Sequence, residues 1–369
     1  MANPPNFPLI SYQPLRFVYK LSYFGTIIAR LPYYTLVALI PAFRPNSKWS
    51  AKQTFMTRIL QPLLDMTSRI GITETLTLEQ GKEDERFQIV KPSTLDVYQG
   101  PLHSESVKPA TIGGTWYPNP PQADISSKIV VLYFHGGAFV QGDGRDESTG
   151  SIAKKFLEKG GAEAFFSLQY RLSEYGGVNP FPAALQDAVS AYFYLLNEHH
   201  IPANQIVIGG DSAGANLATA FLRYLHEYGT EIGAPYPKAA VLLSPWVAPF
   251  DYHIKDNRAT DFIPTSYPAW GAHTYGNGAP DERTNPYITA SLKPFSTPVP
   301  IFINAGTAEL LYGQIVGLAD GMSKVPGNVV ELHIEDAAVH DTLLTGRLLG
   351  FEESAWEVAA KVGEFVRKL

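Results

Sequence analysis

Cysteine is absent from the 369-residue chain. That excludes disulfides, a thiolate nucleophile and cysteine-ligated zinc, and it leaves the redox compartment open. Charge is sparse as well, with Asp, Glu, Lys and Arg at 17% of residues and a net charge of -6. Basic clusters are missing, so nucleic acid is not an expected partner. No Asn-x-Ser/Thr sequon occurs, and the first residues show no basic segment leading into an apolar core and a small-residue cleavage site. The expectation is an intracellular protein. A long uninterrupted apolar run is also lacking. The greasiest segment, residues 17–43, is broken by Lys20, Arg30, Pro32 and Pro41, and its longest uncharged stretch, 31–43, falls short of the roughly 18 apolar residues of a membrane span. It reads as a buried helix pair of a cap, with peripheral contact to lipid or to a greasy substrate as the alternative.

What is present is 45% hydrophobic residues, 12% of the chain being aromatic, enough for one large α/β unit with an accessory cap. From about Phe87 onward, short β-rich runs alternate with longer helical ones. The candidate strands are "RFQIVKP", "KIVVLYFHGG", "AEAFFSLQY", "QIVIGGDSAG", "KAAVLLSPW", "VPIFINAGTAE" and "NVVELHIEDA"; the candidate helices cover residues 151–159, 182–198, 214–228, 312–324 and 352–367. Such alternation predicts a mostly parallel sheet with helices on both faces. Two regions break the rhythm. One is the aromatic and proline-rich segment 1–70. The other follows "LLSPW" and contains Tyr252, Phe262, Tyr267, Trp270, Tyr275, Tyr287 and Phe295, too long for a structureless loop. The expected division is a main domain of residues 71–247 and 297–369, with 1–70 and the insertion 248–296 forming a cap.

Chemistry enters at the ends of the candidate strands. Gly210, Asp211, Ser212, Ala213 and Gly214 form a Gly-x-Ser-x-Gly pattern between a hydrophobic run and an Ala/Leu-rich helical one, the context that lifts a serine onto a sharp turn. A serine hydroxyl needs a base, and the base an orienting acid. His340 follows a strand and precedes a helical run, whereas His333 lies within strand alternation and reads as structural. Glu309, just past a buried strand, is the expected acid. Asp320 falls on a helix, Asp336 in the same loop as the base, and Asp341 beside it in sequence, badly placed to reach Nδ1. Gly136 and Gly137 after "VVLYFH", together with Ala213, offer amides to cradle an oxyanion. His135 reads as a brace of that loop, and Arg171 and Asp187 as structural charges.

These motifs resemble the hormone-sensitive-lipase-like family of α/β-hydrolases, which includes many microbial and fungal carboxylesterases. The likeness runs from about Thr115 to Leu344 and rests on "GTWYP", "LYFHGGAFVQGD", "YRLSEYGGVNPFPAALQDA", "GGDSAGANLA", "LLSPW", "AGTAELL" and "VHD". Three positions depart from the family pattern: Ala138 stands where a third glycine is usual, Glu309 where Asp is common, and the "YRLSEYGGVNPFPAA" stretch is longer than its counterpart. The resemblance implies an α/β-hydrolase fold with a largely helical cap and a serine carboxylic-ester hydrolase acting on a small-molecule ester, with catalytic Ser212, Glu309 and His340, oxyanion donors Gly136, Gly137 and Ala213, and no metal or organic cofactor. An acyltransferase, amidase or lactonase with the same triad, or a non-catalytic ligand-binding relative, is the alternative. Acyl chain and oligomeric state are left open.

Overall fold

The computed structural model describes residues 7–251, 254, 256–277, 279 and 281–369; Tyr252, one of the aromatic residues expected in the insertion, lies outside them. The chain opens with α1 (Leu15–Leu39) and α2 (Ala51–Ile70), packed against each other. Local sequence bounds α2 at both ends. The Ser50 hydroxyl accepts from the Gln53 amide at 3.2 Å, and Gln53 Oε1 accepts from the Ser50 amide at 2.6 Å, a reciprocal cap for two donors the first turn leaves free. Gly71, at φ +65°, ends the helix in the left-handed region and donates to the Thr67 carbonyl at 3.0 Å.

One sheet of eight strands carries the rest: β1 (Phe87–Val90), β2 (Ile112–Tyr117), β3 (Val130–Phe134), β4 (Ala164–Gln169), β5 (Ile206–Asp211), β6 (Ala239–Leu243), β7 (Ile301–Gly306) and β8 (Val330–Glu335). Their spatial order is β1-β2-β4-β3-β5-β6-β7-β8, with β2 antiparallel to both neighbours and every pairing from β4 to β8 parallel. β2 is not among the strands expected from sequence, because Gly113 and Gly114 at its centre carry no strand propensity. Here they make room: a side chain at Gly113 would meet the Phe87 ring, and one at Gly114 the Phe166 ring.

Helices α3 (Asp146–Glu158), α4 (Ala183–Asn197), α5 (Ser212–Tyr228), α6 (Ser266–Gly276), α7 (Tyr312–Ser323), α8 (Thr342–Leu349) and α9 (Glu352–Arg367) complete the chain. α3 starts at Asp146 rather than at Ser151. Asp146 and Glu147 sit in its first turn, where negative charge suits the helix dipole. Alternate strand residues bury on opposite faces of the sheet. Leu132, Phe134, Ile208 and Ile303 join the core under α4, α5 and α7, while Val131, Tyr133, Val207 and Phe302 join the one under α3 and α9. A side chain of this size fully withdrawn from water contributes about 1.5–3 kcal/mol, so the two-sided burial is what holds the central strands.

A third apolar cluster gathers Trp49, Phe262, Ile263, Leu310, Val339 and Phe351, with Leu60 and Leu64 of α2 and Tyr267 of α6 against it. It joins the N-terminal segment and the insertion to the loops after β7 and β8. Asp65 of α2 ties the same pieces by polar contacts: it accepts from Tyr23 of α1 at 2.5 Å, from Ser266 of α6 at 2.6 Å and from Arg69 at 2.8 Å. Among the described residues, no helix is long and apolar enough to cross a membrane.

Candidate active site

The segments at the carboxyl ends of β3, β5, β7 and β8 converge, the edge where open α/β sheets place ligands. β5 ends at Asp211 and α5 begins at Ser212, with no connecting loop. Ser212 takes φ +49°, the left-handed region that a non-glycine residue occupies only when its surroundings hold it there. The flanking glycines permit this turn. A Cβ on Gly214 would collide with the Phe134 carbonyl, and one on Gly210 would stand 2.5 Å from the Gly214 carbonyl carbon. The Trp246 amide donates to the Ser212 carbonyl at 3.0 Å and anchors the turn from β6's side.

Ser212 lines a cavity of about 150 Å³ together with Gly137, Ala138, Trp246, Phe262 and His340. The buried His340 ring reaches Glu309: Nδ1 to Oε2 is 2.9 Å. Glu309 is itself fully buried, and its other oxygen accepts from the Gly306 amide at 2.7 Å. Burial works against the imidazolium, but the hydrogen bond and charge of Glu309, followed by the charges of Asp261 and Asp211, outweigh it and hold the His340 pKa above its ordinary value. The two loops are stitched together by the Ala308 amide on the Ala338 carbonyl (2.9 Å) and the Ala337 amide on Thr307 Oγ1 (2.7 Å).

Gly137 stands on the cavity wall at φ +102°, where a side chain would strike the Gln141 carbonyl. Gly136 lies just behind, where a Cβ would stand 3.2 Å from the Ser212 Cβ and would strike the Asp211 carboxylate. Ala213 is in the first turn of α5, whose amides have no intrahelical acceptor. Among the described residues, nothing accepts from the amides of Gly136, Gly137 or Ala213. His135 stacks on Tyr170 with ring centres 4.2 Å apart, and its Nδ1 is 2.7 Å from the Gly136 carbonyl. Burial pushes its pKa down, which keeps it neutral as a brace.

The other titratable residues weighed from sequence lie elsewhere. His333 stacks on Phe302 along β8, Asp320 pairs with Lys324, and Asp336 pairs with Lys48. Arg171 and the buried Asp187 form a multiply hydrogen-bonded pair at 2.8 Å. One acid at the site is missed by sequence reasoning, and another takes a role different from the one weighed for it. Asp261, in the insertion, accepts from the Leu310 amide at 2.5 Å and the Phe262 amide at 2.7 Å, and burial pushes it up to about 6 despite the opposing pull of His340. Asp341, set aside as the orienting acid, turns to Asp211 instead. Burial, the charge of Asp211 and a hydrogen bond to it hold the Asp341 carboxyl well above the usual range.

Comparison with known proteins bears on the fold and the family. Residues 131–344 match the model of a family described as having the alpha/beta hydrolase fold. An acetyl-hydrolase of Streptomyces hygroscopicus is 41% identical over 116 residues, 31% of this chain and 35% of that protein. Esterase LipI of Mycobacterium tuberculosis is 31% identical over 159 residues, 40% of this chain and 47% of that protein. The chain therefore spans a third to a half of the length of these two relatives. The crystal structure of a hormone-sensitive lipase from a metagenome library superposes with a TM-score of 0.57 at 28% identity, covering 70% of this chain and 82% of that one. The chain belongs to the alpha/beta hydrolase fold family and is hormone-sensitive-lipase-like within it.

Proposed function

We propose that the chain is a serine carboxylic-ester hydrolase. The observation that carries this reading is one cavity bordered by both a strained Ser212 and a buried His340, whose far nitrogen is tied to Glu309. In the proposed cycle Ser212 Oγ attacks the ester carbonyl carbon as His340 Nε2 takes its proton. The carbonyl oxygen becomes an oxyanion facing the amides of Gly136, Gly137 and Ala213. The tetrahedral intermediate collapses, the carbon–oxygen bond to the alkoxy group breaks, and His340 returns the proton to the departing alcohol. Water, deprotonated by His340, then attacks the acyl-enzyme and releases the acid and a free Ser212. Glu309 holds the imidazole in its productive tautomer throughout.

The cavity wall is largely apolar, with Leu64, Phe262, Ile263, Leu311 and Leu344 in it, which favours an apolar acyl or alcohol group. Leu64 comes from α2 and Phe262 and Ile263 from the insertion, so in this reading residues 1–70 and 248–296 are the cap and 71–247 with 297–369 the catalytic domain. Segment 17–43 makes peripheral contact with a membrane. Hydrolysis of p-nitrophenyl esters from acetate to dodecanoate tests the activity, with Ser212→Ala as control. Turnover by the wild type and a loss on the order of 10⁴-fold or more in the variant are expected; equal rates from both folded proteins would overturn the assignment.

A further inference from the structure

α1 is apolar on two faces roughly a third of a turn apart. Ile27, Tyr34, Val37 and Ala38 are buried, while Phe17, Leu21, Phe24 and Ile28, spaced four, three and four residues apart, form an exposed stripe. Phe17, Leu21 and Ile28 are 63%, 65% and 64% exposed, and Leu39, eleven residues beyond Ile28, is 66% exposed on the same face. Before and after the helix, Leu9 and Phe43 extend the exposed apolar surface. A helix that greasy on its outer side is not shaped for water.

Charge says what covers it. Residues 1–64 contain seven Lys and Arg and no Asp or Glu, in a chain whose acidic side chains outnumber basic ones by 35 to 29. All 35 acids lie from Asp65 onward. Lys20 on α1 is exposed and flanks the stripe, Arg16 and Arg30 project from farther round the helix, and among the described residues no carboxylate pairs with any of them. A second copy meeting this face with its own α1 would set basic residues against basic residues, whereas a layer of anionic headgroups over hydrocarbon matches both its charge and its grease.

We propose that the outer face of α1 docks into the surface of an anionic lipid bilayer, lying in the plane of the membrane. The inference rests on the peripheral-contact reading of segment 17–43 and names its partner. The helix does not act as a loose tether. Tyr23 on its inner side is fastened to Asp65 of α2, which holds Ser266 of α6, and Leu64 of α2 lines the cavity beside Ser212. Docking α1 therefore brings the cap, two helices deep, to the lipid, where an apolar ester is concentrated.

The test is co-sedimentation of the full chain with vesicles of phosphatidylcholine alone and of phosphatidylcholine with 30% phosphatidylserine, beside sedimentation-velocity measurement of its oligomeric state. Expected is about tenfold or stronger partition into the anionic vesicles, lowered by 0.5 M salt. Leu21→Asp with Ile28→Asp should abolish it while leaving p-nitrophenyl butyrate hydrolysis unchanged, and Lys20→Ser with Arg16→Ser should erase the preference for anionic lipid. Equal binding to both vesicle types overturns the inference but spares peripheral contact; binding to neither overturns both. A dimer that the Leu21/Ile28 substitutions dissociate, without vesicle binding, assigns the face to a second copy and overturns it too. Since binding is read without turnover, Ser212→Ala should bind like the wild type, which separates this result from the fate of the hydrolase reading.

Discussion

Asp341 and Asp211 are both buried, one on the loop after β8 and one at the end of β5, and burial together with the charge and hydrogen bonding of Asp211 holds the Asp341 carboxyl well above its usual range. Asp211 also accepts from Tyr133 at 2.7 Å, and the Asp341 amide donates to Ser244 at 3.0 Å. These contacts join the segment carrying His340 to the turn carrying Ser212. Asp341 additionally stands at φ +47° and caps α8 through the Leu344 amide at 3.4 Å. A folded-state pKa raised above the unfolded one means the native protein holds more protons in between, so this pair loses stability as pH rises from about 4 through the folded value. Asn keeps the cap and tolerates the left-handed turn, and its amide donates to Asp211 with no proton to lose. Asp341→Asn should therefore raise the melting temperature at pH 8 more than at pH 5. Thermal unfolding at both values measures this, and a larger gain at pH 5 would contradict the raised Asp341 pKa.

The pair formed by His340 and Glu309 sets the pH dependence of turnover. Its pKa is raised, so the neutral imidazole that accepts the serine proton appears only as pH climbs past that raised value. The acid limb of kcat/KM should have its midpoint above 6.5, the ordinary value for histidine. For stability the sign is the opposite: the charged pair contributes fully at low pH and is lost as pH rises through the folded pKa. Glu309→Gln removes the carboxylate charge, which should move the midpoint down and cut kcat by roughly 10³–10⁴-fold, the scale for losing the orienting acid. A pH–rate profile of both proteins reads the two effects separately. An unmoved midpoint would mean that Glu309 does not govern the titration.

Local pattern accounts for what was legible in the sequence. Ser212 sits between a strand and a helix that announce themselves by composition, Glu309 follows an apolar strand and His340 an alternating one, and neighbouring strand ends bring them together. The contact of His340 with Glu309 follows from the parallel pairing of β7 with β8. What stayed hidden depends on partners far away in the chain. Gly113 and Gly114 look like poor strand residues until the rings of Phe87 and Phe166 are seen filling their space. Asp341 was weighed only against its neighbour His340, while its partner, Asp211, lies 130 positions earlier. Asp261 has no motif around it at all, and its amide donor, Leu310, comes from across the third apolar cluster.

Glycines of one residue type should respond in opposite directions. Gly214→Ala would drive a methyl group into the Phe134 carbonyl at the turn that presents Ser212. It should cost about 1–3 kcal/mol, the scale of overpacking, together with most of the activity. Gly317, inside α7, has nothing within 4 Å of the added carbon and no unusual φ. Gly317→Ala should instead stabilise by roughly 0.5–1 kcal/mol, the difference in helix propensity, with activity unchanged. Urea unfolding of both variants decides it; a destabilised Gly317→Ala would contradict the open space found there.

Asp65 offers a way to loosen the cap without touching the site. Burial raises its pKa, but hydrogen bonds from Arg69, Ser266 and Tyr23 more than offset this and leave it below the ordinary value. A depressed carboxylate contributes stability above its unfolded pKa, near 4, and loses it as pH falls through the folded value. Tyr23→Phe deletes only the bond from α1 and should cost about 0.5–1.5 kcal/mol. Asp65→Ala strips α1, α6 and Arg69 of their common acceptor at once and should cost more, because the Ser266 hydroxyl is left half-buried without that partner. If the latch holds the cap as a unit, limited proteolysis at neutral pH should cut the loosened segment before Ala51 faster in Asp65→Ala than in Tyr23→Phe, and faster in either than in wild type. As pH falls through the folded value the three rates should draw together, since protonation then removes from the wild type what the substitution removes at pH 7. Equal cleavage at neutral pH would show that the apolar contacts between α1 and α2 hold the helix without Asp65.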